Sequence, residues 1–285
     1  MDLGPSSKAC PRAHLPWRAR GLRRALVLTV ALAIGACADS EEAYVERPVD
    51  DLYNTAVDQL DGGNYATAAE AFDEVERQHP YSQWATRAQM MAAYAHYQAN
   101  DYDAAIIAAD RFLQLHPGHR DVAYARYLIA LSYYEQISDV QRDQRLTRLA
   151  LEALDDVVRR HPDTDYARDA QLKIDLTYDH LAGKEMAIGR FYLKRGDYVG
   201  AINRFRTVIN EFQTTSHVPE ALHRLVETYL LLGVEDEATK SAAVLGHNFP
   251  GSPWYQDSYR LLVEHNLAPE GDGKSWLAQA WDSVF

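Results

Sequence analysis

Few residues of this chain have the type and spacing for covalent or metal-ligating chemistry. It holds two cysteines and eleven histidines, and it contains no phosphate-cradling glycine loop, no nucleophile elbow and no paired-cysteine metal motif. Cys37 stands directly after Ile34-Gly35-Ala36. Small side chains at that point let a peptidase approach the backbone, and the thiol beyond them is a nucleophile for acylation. His79, His116 and His161 each precede a proline, but they recur about one structural repeat apart and cannot share an ion at ligand distances of about 2 Å. His116 and His119 flank a Pro-Gly turn, the one arrangement whose spacing leaves metal binding open. Catalysis finds no support, and no cofactor is expected.

The elements around Cys37 give the thiol its meaning. Arg12, Arg18, Arg20, Arg23 and Arg24 precede an apolar run from Ala25 to Ile34, the charged and apolar regions of an export signal. The run is about half the length a permanent transmembrane helix needs. The Ile34-Gly35-Ala36-Cys37 stretch resembles the lipobox of bacterial lipoproteins, the alternative being a plain small-residue cleavage site with an incidental cysteine. Acyl chains on the thiol and on the new amino terminus would anchor the protein stably, each buried CH₂ contributing about 0.8 kcal/mol. Ala38 follows, and the absence of aspartate directly after the cysteine resembles the outer-membrane sorting class. Cys10 leaves with the signal, so no internal disulfide can form. The formal charge of −12 becomes more negative once the basic signal is removed, which argues against non-specific nucleic-acid binding.

Beyond the signal the chain repeats itself. Gly63-Asn64-Tyr65-Ala66-Thr67-Ala68, Asn100-Asp101-Tyr102-Asp103-Ala104-Ala105 and Gly196-Asp197-Tyr198-Val199-Gly200-Ala201 are copies of one turn, with a fainter copy at Gly233 to Ala238. Each is followed at a similar distance by His79-Pro80, His116-Pro117 or Phe249-Pro250, and counting back from His161-Pro162 reaches Thr147. Anchors at 65, 102, 147, 198 and 235 define five repeats, near the period of about 34 residues of tetratricopeptide units, with two insertions. Ala68, Phe72 and Val75, and likewise Ala201, Phe205, Val208 and Phe212, fall on single helical stripes. The spacing predicts an all-α, tetratricopeptide-like solenoid of about five helix-turn-helix units, whose curvature makes binding surfaces. The second insertion, Asp165 to Lys194, reads as one extended helix and a second after Gly183. Trp254 to His265 reads as a capping helix. The expected division is 1–36 signal, 37–48 lipidated tether, 49–265 repeat domain and 266–285 tail, whose Trp276, Trp281 and Phe285 suit a docking segment or an idle amphipathic end. Tyr94, Tyr97, Tyr124, Tyr127, Tyr133, Tyr134 and Tyr178, of eighteen tyrosines, fall on first helices. Most serve packing, and a minority are expected exposed on the concave face as protein-binding anchors.

The lipobox, the stretch from His79 to Tyr134, and the fragments RRHPDTDYARDA and AGKEMAIGRFYLKRGDYVGAINRF together resemble the BamD family of outer-membrane assembly factors over roughly residues 48 to 245. Their order, the two insertions and the lipobox carry the likeness. It implies a non-catalytic lipoprotein on the periplasmic face of the outer membrane, within the complex that folds β-barrel proteins. Implied partners are unfolded outer-membrane proteins, received by the amino-terminal repeats through a carboxy-terminal signal. The carboxy-terminal repeats would hold the core barrel subunit and accessory lipoproteins. Arg204 matches an arginine with which the family grips the core subunit. Its helical neighbours Gly200, Ala201, Thr207 and Val208 include no acid, so it either meets a carboxylate of the partner or pairs with one in an adjacent repeat. A lipoprotein scaffold for cell-wall or polysaccharide machinery would share the lipobox and repeats, and an enzyme would need a convergent polar cluster that the sequence does not display.

Replacing Cys37 with serine is expected to give an unlipidated chain, because no other segment supplies enough apolar surface for anchoring. Incorporation of radioactive fatty acid in cells measures this, and label on the serine variant would refute the lipobox assignment.

Overall fold

A left-handed residue stands between the two helices of four repeats, and the antiparallel pairing follows from it. Gly63, Gly196 and Gly233 have φ of 76°, 75° and 74°, and Asn100 takes the same conformation at 60°. Glycine reaches this region without a Cβ clash, and asparagine is among the few side chains that tolerate it. The computed structural model describes residues 46–268, and among them are eleven helices and no strand. In chain order these are α1 (Val49–Asp61), α2 (Tyr65–Gln78), α3 (Gln83–Gln98), α4 (Tyr102–Leu115), α5 (Val122–Tyr134), α6 (Arg145–Arg160), α7 (Asp165–Lys194), α8 (Tyr198–Glu211), α9 (Val218–Leu232), α10 (Glu235–Asn248) and α11 (Pro253–Glu264). Each helix packs on the next, giving five pairs from α1/α2 to α9/α10, while α1, α3, α5 and α7 also touch in succession. The first helices of the pairs are therefore the tighter, inner side of a tetratricopeptide-like stack.

The second helices begin and end alike. The Asp101 and Asp197 carboxylates accept from the backbone N–H of Ala104 and Gly200 at 3.2 and 3.0 Å, satisfying donors the first turn leaves open. α2, α4, α6, α8 and α10 stop at His79, His116, His161, Phe212 and Phe249, all with φ between −126° and −134°. Proline follows four of them, and it cannot continue a helix.

The core follows the sequence register. Ala68, Ala105, Ala150, Ala201 and Ala238, each three residues after an anchor, are fully buried. Phe72, Ala109, Leu154, Phe205 and Ala242 repeat this one turn later, and Val75, Phe112, Val157, Val208 and Leu245 after that. Small residues at the first position let each second helix approach its partners, and larger ones fill the space beyond.

One sequence expectation is corrected. Residues Asp165–Lys194 form a single 30-residue helix with no break at Gly183. Both internal glycines are buried and serve close approach rather than interruption. A Cβ at Gly183 would lie 3.2 Å from His217 Nε2, and one at Gly189 would lie 2.5 Å from Phe205 Cε1. A helical glycine costs about 1 kcal/mol relative to alanine, and the packing it permits offsets that. Ala170 and Ile174 of α7 join the core of Ala130, Leu154 and Val157, whereas Ala182 and Met186 join that of Ala201 and Phe205.

The expected capping helix is present as α11, which docks on α9 through a polar contact. His223, itself buried, meets Ser258 Oγ through Nδ1 at 2.8 Å, and Trp254 lies against its ring at 5.2 Å. Burial, then the neighbouring Arg224, hold the His223 pKa below its ordinary 6.5, while Glu227, Asp257 and Glu220 oppose this weakly.

Gly189→Ala and Ala201→Leu are each expected to overpack the contact they occupy and to cost about 1–3 kcal/mol in chemical denaturation; unchanged midpoints for both would contradict this register. The His223 site gives a pH dependence of definite sign. The unfolded chain takes up the proton first as pH falls, so the stability contributed here is complete above about pH 6.5 and is lost as pH drops toward the folded value. The urea midpoint should therefore fall between about pH 7.5 and pH 5.5, and His223→Gln should flatten that slope.

Candidate interaction surfaces

Arg204 sits on α8, one helical turn beyond the Ala201 contact, and its guanidinium reaches back to α7. Arg204 Nη1 donates to Glu185 Oε2 at 3.0 Å, with 42% of the arginine side chain and 19% of the glutamate exposed. The Glu185 hydrogen bond holds the arginine pKa above its ordinary value against the opposing effect of burial, and Tyr192 adds to it. Of the two readings the sequence left open, pairing with a carboxylate is realised inside the chain, and the partner comes from the antiparallel helix of the same repeat. The pair uses one edge of the guanidinium. A planar group with five donors keeps others for a second acceptor.

A cavity of about 490 Å³ opens beside this pair, where the first insertion meets the middle of α7. Arg142, Arg148, Lys184, Glu185, Glu211 and Phe212 line it, and Lys184 Nζ donates to the Gln141 carbonyl at 2.8 Å. Further along, Arg190 Nη1 contacts both Glu220 oxygens at 2.9 and 3.0 Å. Asp179 accepts from the backbone N–H and hydroxyl of Ser216 at 3.0 and 2.7 Å, tying the loop after α8 to the midpoint of α7. None of these pairs was read from sequence. The usable signal was the turn at Gly196, since counting outward from it brings Glu185 and Arg204 onto facing helices.

The tyrosines of the first helices are arranged across repeats. Tyr124 on α5 stands 5.5 Å from Tyr166 on α7, and Tyr127 stands 5.3 Å from it. Tyr127 donates to Asp169, and Tyr97 donates to Glu135 Oε1 at 3.4 Å. Burial, reinforced by Glu135, pushes the Tyr97 pKa up to about 12, and burial raises those of Tyr124 and Tyr127. All seven tyrosines singled out from sequence are half-buried and none is fully exposed. The rings of Tyr124 and Tyr127 lean on Tyr166 of the next first helix, and Tyr178 leans on Phe212; the packing role expected for most of the seven is seen, whereas the fully exposed minority is not.

His79, His116 and His161 occupy equivalent helix ends, and the first two bond within their own repeats. His79 Nε2 meets the Arg47 carbonyl at 2.7 Å and His116 Nε2 meets Gln89 Oε1 at 2.8 Å. His116 and His119 rings are 6.4 Å apart, and among the described residues no group of three or more His, Cys, Asp or Glu could hold a metal ion. Among those residues no helix is long and apolar enough to cross a membrane. Cys37 and the three aromatics of the tail lie outside the described residues.

A family model described as YfiO, outer membrane lipoprotein, matches residues 45–263. The chain is 55% identical over 244 residues to the outer membrane protein assembly factor BamD of Caulobacter vibrioides, covering 84% of this chain and 80% of that one. It is 47% identical to the protein of the same name from Rickettsia prowazekii, covering 84% and 96%. A solved thermophilic TPR protein of Thermus thermophilus overlaps it loosely, at 18% identity and a TM-score of 0.35, over 76% of this chain and all of the other. A match of this extent to the family, together with identity this high across most of each relative, shows that the chain belongs to the BamD (YfiO) family of outer-membrane lipoproteins.

Proposed function

We propose that this protein is a lipid-anchored scaffold of the β-barrel assembly complex, acting from the periplasmic face of the outer membrane without catalysis or cofactor. The observation that carries the reading is its identity, across most of their length, to relatives named as outer membrane protein assembly factors. In this reading residues 1–36 are the signal, Cys37 carries the N-palmitoyl and S-diacylglycerol groups, and 37–48 tether the lipid to the repeats, with 266–285 a tail beyond them. The amino-terminal repeats receive unfolded outer-membrane proteins. The carboxy-terminal repeats hold the core barrel subunit and an accessory lipoprotein.

The Arg204–Glu185 pair supports a place for the core subunit. Glu185 keeps the guanidinium oriented before the partner arrives, which reduces the ordering cost of binding, and 42% of the arginine side chain stays exposed beside the charged cavity that Glu185 lines. A partner carboxylate there would form a charge-assisted contact in a partly desolvated site.

Affinity purification from detergent-extracted membranes is expected to retrieve the core barrel subunit and accessory lipoproteins; retrieval of cell-wall or polysaccharide synthases instead would overturn the reading. In the same assay Arg204→Glu should weaken capture of the core subunit by about 2–5 kcal/mol. Arg204→Gln should change the stability of the isolated chain by less than about 1 kcal/mol, as for other solvent-exposed ion pairs. Full retention of the core subunit by both variants would make Arg204 a structural residue only.

A further inference from the structure

The last helix, α11, ends as the first helix of a repeat ends, although no second helix follows it among the described residues. Asn266 takes φ of 59°. Its N–H donates to the Val263 carbonyl at 3.0 Å, and the N–H of Leu267 donates to the Leu262 carbonyl at 2.8 Å. The turns at Gly63, Asn100, Gly196 and Gly233 carry the same two bonds, at 2.9 to 3.0 Å, around the same left-handed residue. In all four the next helix packs back on the one just closed. Junctions between repeats are built otherwise, since the second helices stop at residues with φ between −126° and −134°. A helix that merely capped the stack would have no use for a turn that sends the chain back along it.

α11 also carries apolar side chains over more of its surface than α9 and α10 require. Ser258 and Leu262 are buried, and Trp254 lies on His223 of α9 to one side of them. To the other side Tyr255, Tyr259 and Val263 form a half-buried row one turn apart, the two rings 6.2 Å from each other. Burial, then Tyr259, raise the Tyr255 pKa above its ordinary 10. From Leu261 to Val263 the apolar arc covers about 200° of the helix, about twice the stripe of a helix with one apolar neighbour. The sequence beyond Ala268 has the complementary pattern. Gly271 and Gly273 oppose helix, and Ser275 is a favourable N-cap. From there Trp276, Leu277, Ala280, Trp281 and Val284 fall within about 140° of a helical wheel, with Gln279 and Asp282 opposite. The ten residues from Trp276 to Phe285 nearly match the twelve of α11. The seven between Ala268 and Trp276 reach about 23 Å when extended, enough to bring the stripe alongside α11.

We propose that residues 276–285 form the second helix of a sixth repeat unit, docked in cis with Trp276 and Trp281 against the Tyr255–Tyr259 row of α11. The chain's own tail is favoured over a second copy by position. Ala268 is buried in the carboxy-terminal core and starts the tail one short loop from the row, which gives an effective concentration on the order of millimolar. The unit would close the carboxy-terminal end of the stack and turn its polar side, with Gln279 and Asp282, to water, as a terminal unit of a solenoid must.

The test is hydrogen exchange of the mature full chain, resolved by segment with mass spectrometry. Amides of residues 276–285 should exchange about tenfold or more slowly than those of a synthetic peptide of that sequence. This protection should not change when the protein is diluted about a hundredfold. The double variant Trp276→Ser, Trp281→Ser should lose it and should speed exchange in α11 about tenfold, with α3 unchanged. That pair lies outside the five repeats, so their folding is preserved. The double variant Tyr255→Ser, Tyr259→Ser should lose the tail protection as well, a melting curve establishing that it is folded. Tail amides that exchange at the peptide rate in the wild type would overturn the proposal. Protection that survives in either double variant would overturn it by placing the tail on another surface. Protection that fades on dilution would assign the row to a second copy and overturn docking in cis.

Discussion

The whole stack depends on how closely two helix backbones can approach at one position per repeat. Ala68, Ala105, Ala150, Ala201 and Ala238 sit there with no accessible surface. A larger side chain at any of them would push its second helix outward, and the layer of Phe72, Leu154 and Phe205 one turn later would lose its seat. The left-handed turn three or more residues upstream has value only because the helices it joins can close on each other. The alanine has value only because the turn delivers it to the contact. Gly189 applies the same rule more severely, since the Phe205 ring occupies the space of its missing Cβ.

This interdependence explains what was legible in the sequence. Turn, small residue and helix stop recur as a set because each is useless without the others, so counting spacings located second helices from Tyr65, Tyr102 and Tyr198 even where Thr147 and Glu235 had replaced the tyrosine. Gly183 misled for a related reason. Glycine marks a break when it supplies a left-handed turn and marks a close approach when it vacates a Cβ, and a single sequence does not distinguish these uses until the facing residue, His217, is known. The Arg204–Glu185 pair was out of reach of an argument confined to one helix, because its partner lies across the turn at Gly196. Packing was legible for most of the tyrosines, as rings such as Tyr124 and Tyr166 are covered on one side by a neighbouring repeat, but the exposed minority was not found, because which ring a neighbouring repeat covers is set by the stacking of repeats and not by position on one helix.

Charge is distributed differently along the stack. In the first three repeats, ion pairs join second helices of neighbouring repeats, Arg111 with Glu76, and the two helices of one repeat, Arg126 with Asp156 at 2.7 Å. In the fourth and fifth, Arg190 with Glu220 and Arg204 with Glu185 link the long helix to α9 and α8. Among the described residues Arg142, Arg148 and Lys184 make no such ion pair, and they gather at the cavity beside Arg204 and Glu185. Exposed pairs of this kind add little stability individually, but they fix side-chain orientation before any partner arrives.

The continuity of α7 has a mechanical meaning. A helix of 30 residues is about 45 Å long, and its two halves are set in different hydrophobic cores. With no break between them it acts as a lever: rotating the half seated in the third repeat by about 10° would swing the far end by roughly 8 Å. Torque applied to the half seated in the third repeat would thereby reach the Arg204 region without any rearrangement of the turns in between.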